Sequence, residues 1–240
     1  MKRMATIVLA HGAWSAAWAW KKMRPLFAAA GHSFYSPTYT GLGERAHLSR
    51  PEVDLSTHVQ DVLNVIEFED LKDVVLLGHS YGGMVATGVA DKAPGRIQRV
   101  VYIDAFAPKD SQSLFDLLGP KGEANMRAGA AKDGDGWLLP INPMPPDTAP
   151  DDAAWASPRR RKQPIKTFEQ KIKLESKESF PPRHYIYALK NGPGDVFRQF
   201  GERAKGEAGW KYYEIDASHN PHITCPDVLM KLLTDIMSGK

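Results

Sequence analysis

Asp73-Val74-Val75-Leu76-Leu77-Gly78-His79-Ser80-Tyr81-Gly82-Gly83 is the stretch that decides how the rest of the chain is read. Its opening is a short continuous apolar run bounded by turn residues, the mark of a strand buried on both faces. The strand runs into Gly-x-Ser-x-Gly. Beyond it, Gly83, Ala86, Gly88 and Ala90 give a helix of small residues. A serine at such a junction is expected on a strained turn, with its hydroxyl clear of the sheet. Glycines two residues either side leave room for the close backbone approach. The helix that follows points its N-terminus at the serine and favours negative charge developing there. The five-residue pattern alone is weak; the strand before it and the helix after it supply the context that the motif requires. The competing reading is a glycine-rich turn with a bystander serine.

Outward from this stretch, strands and helices alternate. Thr6–Ala10 reads as a buried strand. Trp20, Met23, Leu26, Phe27 and Ala30 recur at helical spacing, and Gly31 stops them. Ser33–Tyr39 is strand-like with a proline inside. Val59, Val62, Leu63 and Ile66 share a helical face, with Thr57 and Gln60 as a candidate capping box. Val100–Ile103, Tyr185–Leu189 and Trp210–Ile215 are further strands, and Val228, Leu229, Leu232, Leu233 and Ile236 stripe a last helix. The alternation predicts an α/β fold, a mainly parallel twisted sheet flanked by helices. Residues 107–180 break the rhythm with prolines at 140, 143, 145, 146, 150, 158 and 164. They are expected to form a lid inserted into a core of residues 1–106 and 181–240.

Composition narrows the function classes. The 240 residues suit one large domain, and 42% hydrophobic with 25% charged residues is ordinary for a globular chain. A net charge of +3 gives no case for a nucleic-acid or membrane-surface partner. The basic run Arg159–Lys162 reads as a solvated loop face. The single cysteine, Cys225, permits no internal disulfide, which suits a cytoplasmic location. Met1-Lys2-Arg3 has the charge of a leader, but the apolar run after it is short and no cleavage site follows. No stretch is long and apolar enough to span a bilayer. No HExxH, P-loop or GxGxxG motif is present, so no metal and no cofactor are expected. A homo-oligomer is allowed by the sequence and not required by it.

His11-Gly12-Ala13-Trp14, the spacing to Trp18, Thr38-Tyr39-Thr40-Gly41, Gly78–Gly83 and Ser218-His219-Asn220-Pro221 together resemble the α/β-hydrolase superfamily. Within it, the chain is similar to the branch of plant methyl esterases, hydroxynitrile lyases and bacterial serine esterases. The resemblance spans nearly the whole chain outside the lid. It implies a Ser-acid-His triad in that chain order. Ser80 is the nucleophile and His219, after the last strand, the base; His222 is the alternate. Asp104, directly after a strand, is the favoured acid. Asp195 is the alternative, at the commoner family location but further from its strand, where Lys190 and Asn191 stand. Each aspartate also has a plain structural reading, as a strand-end cap or a helix cap. The family's oxyanion hole would take backbone N–H groups from Tyr81 and from the loop after the first strand, with Ala13 the candidate. His11 is read as a brace for that loop.

Departures from the family sharpen the expectation. Asn220 stands where hydroxynitrile lyases of this branch carry a lysine, which argues against lyase chemistry. A serine nucleophile argues against dehalogenases and epoxide hydrolases of the ester-intermediate type. The expected activity is cleavage of a small carboxylic ester through an acyl-enzyme. Lactone, thioester or carbamate hydrolysis and perhydrolysis use the same groups, and a catalytically silent binding protein is the remaining class. Trp14, Tyr81, Phe106, Trp137 and Trp155 are candidate pocket residues; each ring could equally pack lid to core.

Overall fold

A computed structural model of the chain describes residues 4–239. Met1-Lys2-Arg3, read above for leader charge, lie outside the described residues. The strands are β1 (Thr6–Ala10), β2 (Ser33–Tyr35), β3 (Val74–His79), β4 (Ile97–Ile103), β5 (Leu138–Leu139), β6 (Gln163–Pro164), β7 (Arg183–Ala188) and β8 (Trp210–Ile215). The helices are α1 (Met23–Ala29), α2 (Leu55–Phe68), α3 (Gly82–Lys92), α4 (Leu114–Asp133), α5 (Pro150–Ala156), α6 (Lys166–Glu169), α7 (Arg198–Gly206), α8 (Pro221–Thr224) and α9 (Pro226–Ser238).

Six strands form one parallel sheet in the order β2-β1-β3-β4-β7-β8. Side chains alternate between its faces, as a pleated strand requires. On one face Ile7, Leu9, Val75, Leu77, Val101 and Ile103 pack against Trp20, Met23 and Phe27 and against Leu229, Leu233 and Ile236 of α9. On the other, Val8, Val74, Leu76 and Val100 meet Val59, Val62 and Ile66 of α2 and Val85, Ala86 and Val89 of α3. Both faces are covered, so β3 is buried at every position. This is why it reads as an uninterrupted apolar run.

The chain leaves β1 outward to β2 and returns on the other side to β3. The reversal leaves a crevice at the carboxyl ends of β1 and β3, where ligands bind in open sheets of this kind. The register pairs Ala10 with Gly78 and His79 with Ile103. The loop after β1, the turn after β3 and the loop after β4 therefore meet at one edge.

Local details differ from the sequence expectations, among them β7, which spans Arg183–Ala188 rather than ending at Leu189, and Val228, which is exposed rather than on the buried stripe of α9. The second strand ends at Tyr35 rather than reaching Tyr39; Pro37 has no N–H to continue a ladder. The cap of α2 lies one turn earlier than Thr57 and Gln60. Asp54 accepts from Thr57 N–H at 2.8 Å, and the Thr57 hydroxyl is the reciprocal partner. Residues 107–180 hold a long helix, α4, capped by Ser113 and Asp116 and broken at Gly119, whose φ is 75°. Pro120 follows that break, and the interruption scrambles the helical periodicity. Among the described residues, no helix is long and apolar enough to cross a membrane.

Candidate active site

The turn after β3 places Ser80 at φ 55°, in the left-handed region that a side-chain-bearing residue holds only when its surroundings enforce it. The enforcement is visible. Ser80 N–H donates to the Ile103 carbonyl at 3.3 Å, and the Ser80 carbonyl accepts from Phe106 N–H at 3.1 Å. Gly82 is obligatory here, since a Cβ on it would sit 2.0 Å from the Ala10 carbonyl oxygen. The tight approach of the turn to β1 thus exposes the serine hydroxyl at the crevice.

His219 reaches the hydroxyl from the loop between β8 and α8. Its Nε2 lies 2.9 Å from Ser80 Oγ, and its Nδ1 lies 2.7 Å from Asp104 Oδ2. A carboxylate only accepts, so Nδ1 carries the proton and Nε2 presents its lone pair to the serine. Asp104 is fully buried at the end of β4, itself left-handed at φ 43°. Its other oxygen accepts from Ala188 N–H at 3.2 Å, and the Asn191 amide donates to both oxygens at 3.0 and 3.2 Å. Asp195 does not touch the imidazole. It accepts from the Tyr187 hydroxyl at 2.5 Å and from Phe197 N–H at 2.8 Å. Phe197 in turn stacks on His219, ring centres 4.7 Å apart and planes 13° apart.

Three further histidines near the site are held by their surroundings. His11 Nε2 accepts from Tyr39 N–H at 3.2 Å, which leaves Nδ1–H to donate to the Gly12 carbonyl at 2.8 Å. Burial lowers its pKa to about 3, so it braces the loop as a neutral ring. His222 lies flat on Trp20, 4.7 Å between centres, and burial lowers it to about 3 as well. His79 Nε2–H donates to the His219 carbonyl at 2.7 Å and fixes the backbone of the base; burial holds this ring well below the usual histidine range.

Ala13 and Tyr81 flank the serine. The loop passes so close that a Cβ on Gly12 would lie 3.2 Å from Ser80 Cβ. Among the described residues neither the Ala13 nor the Tyr81 N–H is taken by another protein group. Both belong to segments that meet at Ser80, the second at the start of α3.

A cavity of about 400 Å³ opens over Ser80. Trp14 lines it. Phe106, Trp137 and Trp155 do not, and neither does Tyr81. Phe106 packs edge-on against Phe197 and Phe200 in the core, and Trp137 is half-buried against the same cluster. Trp155 packs edge-on against Trp18, and Tyr81 stacks on Phe168. In place of those rings the wall is built from Trp18, Met144, Arg160, Lys190 and Asn191 among others. Asn191, to which no sequence motif assigns a role, lies beside Asp104 because it stands just past β7. Arg160 and Met144 carry no signal, since only the path of residues 107–180 brings them there. Among the described residues no three His, Cys, Asp or Glu side chains converge as a metal site.

The family model for alpha/beta hydrolases matches residues 7–232. The chain belongs to the alpha/beta hydrolase family. The hydrolase is 38% identical over 239 residues to a carbendazim hydrolyzing esterase of Nocardioides sp. (strain SG-4G), covering 96% of this chain and 98% of that one. Over 134 residues it is 31% identical to polyneuridine aldehyde esterase of Rauvolfia serpentina, covering 52% of this chain and 49% of that protein. Among solved structures it matches an extracellular alpha/beta-hydrolase from a Paenibacillus species with a TM-score of 0.82 at 26% identity, covering 96% of this chain and 98% of that one. The branch anticipated from the loop and elbow motifs is the one found, and the hydrolase is a carboxylesterase-like enzyme.

Proposed function

We propose that Ser80, His219 and Asp104 act as a catalytic triad that cleaves a small carboxylic ester through an acyl-enzyme. One observation carries this reading: the unbroken chain from Ser80 Oγ through both ring nitrogens of His219 to Asp104, at 2.9 and 2.7 Å. Ser80 attacks the ester carbonyl and gives its proton to His219 Nε2. Asp104 stabilises the imidazolium and holds its tautomer. The oxyanion of the tetrahedral intermediate lies against Ala13 and Tyr81 N–H. His219 then protonates the departing alkoxide, leaving an acyl group on Ser80. Water, with its proton taken by the same nitrogen, releases the acid and restores the serine.

The cavity over Ser80, about 400 Å³, fits a small ester. Residues 107–180 serve as the lid in this reading, since Asn142–Pro146 and Arg160 form part of its wall. A cytoplasmic location goes with it, because a lone cysteine needs no oxidising compartment. The likeness to an esterase named for hydrolysing carbendazim adds that compound to the substrates worth trying. Turnover of p-nitrophenyl acetate, with an organophosphate covalently attached at Ser80, is the expected result. No turnover across esters, lactones, thioesters and carbamates, together with no labelling of Ser80, would defeat the proposal. Cleavage confined to one of the non-ester classes would keep the triad and replace the substrate.

A further inference from the structure

Trp14 directly follows Ala13, and both of its backbone polar groups are held by the 107–180 insertion. Trp14 N–H donates to Gln163 Oε1 at 3.2 Å, and the Trp14 carbonyl accepts from Arg161 N–H at 3.2 Å. Trp14 sits at φ 58°, left-handed and non-glycine, so its conformation needs such an external hold. The peptide joining Ala13 to Trp14 therefore takes its orientation from residues far along the chain.

The other end of the same amide is held as well. Gln163 Nε2 donates to the Thr167 hydroxyl at 2.8 Å, and that hydroxyl gives its own proton to the Pro164 carbonyl at 2.6 Å. Gln163 and Thr167 are wholly buried. Low dielectric makes each of these bonds stiff and each lost partner costly.

We infer that Gln163 is a positioning residue for the oxyanion hole: its oxygen holds Trp14 N–H, and through the Ala13–Trp14 peptide it sets the aim of the neighbouring Ala13 N–H. The inference rests on Ala13 being an oxyanion donor. It gives the insertion a part in the chemistry beyond walling the cavity. Substrate in its ground state is held by the cavity wall. The tetrahedral oxygen alone depends on the aim of two N–H groups, so a misaimed hole lowers kcat and leaves KM in place.

The test compares Gln163→Met, of similar volume but without either bond, with Gln163→Glu, which keeps an oxygen for Trp14 N–H. Ester kinetics and the affinity of an aryl trifluoromethyl ketone, which adds to the serine as a tetrahedral mimic, are measured alongside thermal unfolding. Gln163→Met is expected to lower kcat and weaken the ketone by about 10- to 100-fold each, the scale of a small misplacement at a reacting centre, with KM within about threefold. Gln163→Glu is expected to recover most of both. Should Gln163→Met fail to fold, Thr167→Val removes only the partner that steadies Gln163 Nε2 and is expected to show a smaller loss with the same kcat-over-KM pattern. Wild-type kcat and ketone affinity in a folded variant, or a loss confined to KM, would overturn the role of Gln163. Ser80→Ala separates the two levels. Turnover that survives it defeats the Ser80 reading itself, whereas turnover lost there but intact in the Gln163 variant defeats only the positioning role.

Discussion

Two loops leave the carboxyl edge of the sheet side by side, one after β4 and one after β7, and each carries an aspartate. The first bears Asp104 as the residue after Ile103, on a central strand next to β3. Its carboxylate is fixed where the strand ends, fully buried, and it meets His219 Nδ1 at 2.7 Å. The second carries Asp195 beyond Leu189–Gly194, a stretch containing two glycines and a proline. That carboxylate turns back onto its own loop, to Tyr187, Phe197 N–H and Asn191. Both are equally plausible by residue type. What separates them is that one is delivered by a strand terminus within reach of His219 and the other by a loop that turns it towards Tyr187 and Phe197. The loop contributes instead through Phe197, whose ring lies flat on the imidazole.

The largest effect that could break this contrast comes from Asp104→Asn. Asparagine tolerates the left-handed φ of 43° at this position, so the backbone should survive. Its amide would face Nδ1 with a donor and drive the ring proton to Nε2, where it blocks acceptance from Ser80. By analogy with triads in general, kcat should fall about 10⁴-fold with the melting temperature little changed. Steady-state kinetics and a thermal scan on the same preparation check it. A loss below about tenfold would mean that another group orients His219.

Much of this site was legible in the sequence because its parts are local. Gly78–Gly83 carries its own strand, turn and helix, and Gly82 is there because the Ala10 carbonyl leaves no space for a Cβ. Once Ser80 is placed, chain order narrows the base to His219 or His222, and the family resemblance favours the first. The acid was harder, because its choice depends on which strand neighbours β3, a fact of sheet order rather than of spacing. The cavity wall is hidden from the sequence for a different reason. Aromatic type says that a ring will be buried and not against what, so Phe106, Trp137 and Trp155 were as consistent with lining as with packing. The helix α4 left a mark in Ser113 and Asp116, its capping pair, but Gly119 and Pro120 hid the periodicity beyond them. Gln163 left none, since its partners at Trp14 and Thr167 meet only in the folded chain.

Asn191 sits between the two carboxylates and can sharpen the contrast. Its amide is 3.0 and 3.2 Å from the Asp104 oxygens and 3.4 Å from Asp195 Oδ1. Removing it in Asn191→Ala leaves Asp104 with the Ala188 N–H and the imidazole. A hydrogen bond to a charged group is worth about 1.5–3 kcal/mol, and partial expression of that in the transition state gives a fall in kcat of about tenfold. The double variants decide which aspartate it serves. If Asn191 acts through Asp104, its effect should vanish in the Asp104→Asn background and persist in the Asp195→Asn background. The reverse pattern would mean that Asn191 acts through Asp195.

The smallest effect is expected from Asp195→Asn, and it is the change that tests the plain half of the comparison. The new side chain keeps an oxygen for Phe197 N–H, so the ring that stacks on His219 should hold its place. The charge and the acceptor of the Tyr187 hydroxyl are lost, both away from the reacting atoms, and kcat should shift by less than about threefold. The charge has a separate reporter. Tyr187 is pushed up to about 12, first by desolvation and then by its hydrogen bond and charge interaction with Asp195. An anion beside a phenol disfavours the phenolate, so removing it lowers the pKa towards 10. An alkaline titration followed by tyrosinate absorbance should therefore show one tyrosine ionising earlier in the variant, while ester turnover stays nearly constant. A kcat loss matching that of Asp104→Asn would erase the distinction between the strand-borne and loop-borne carboxylates.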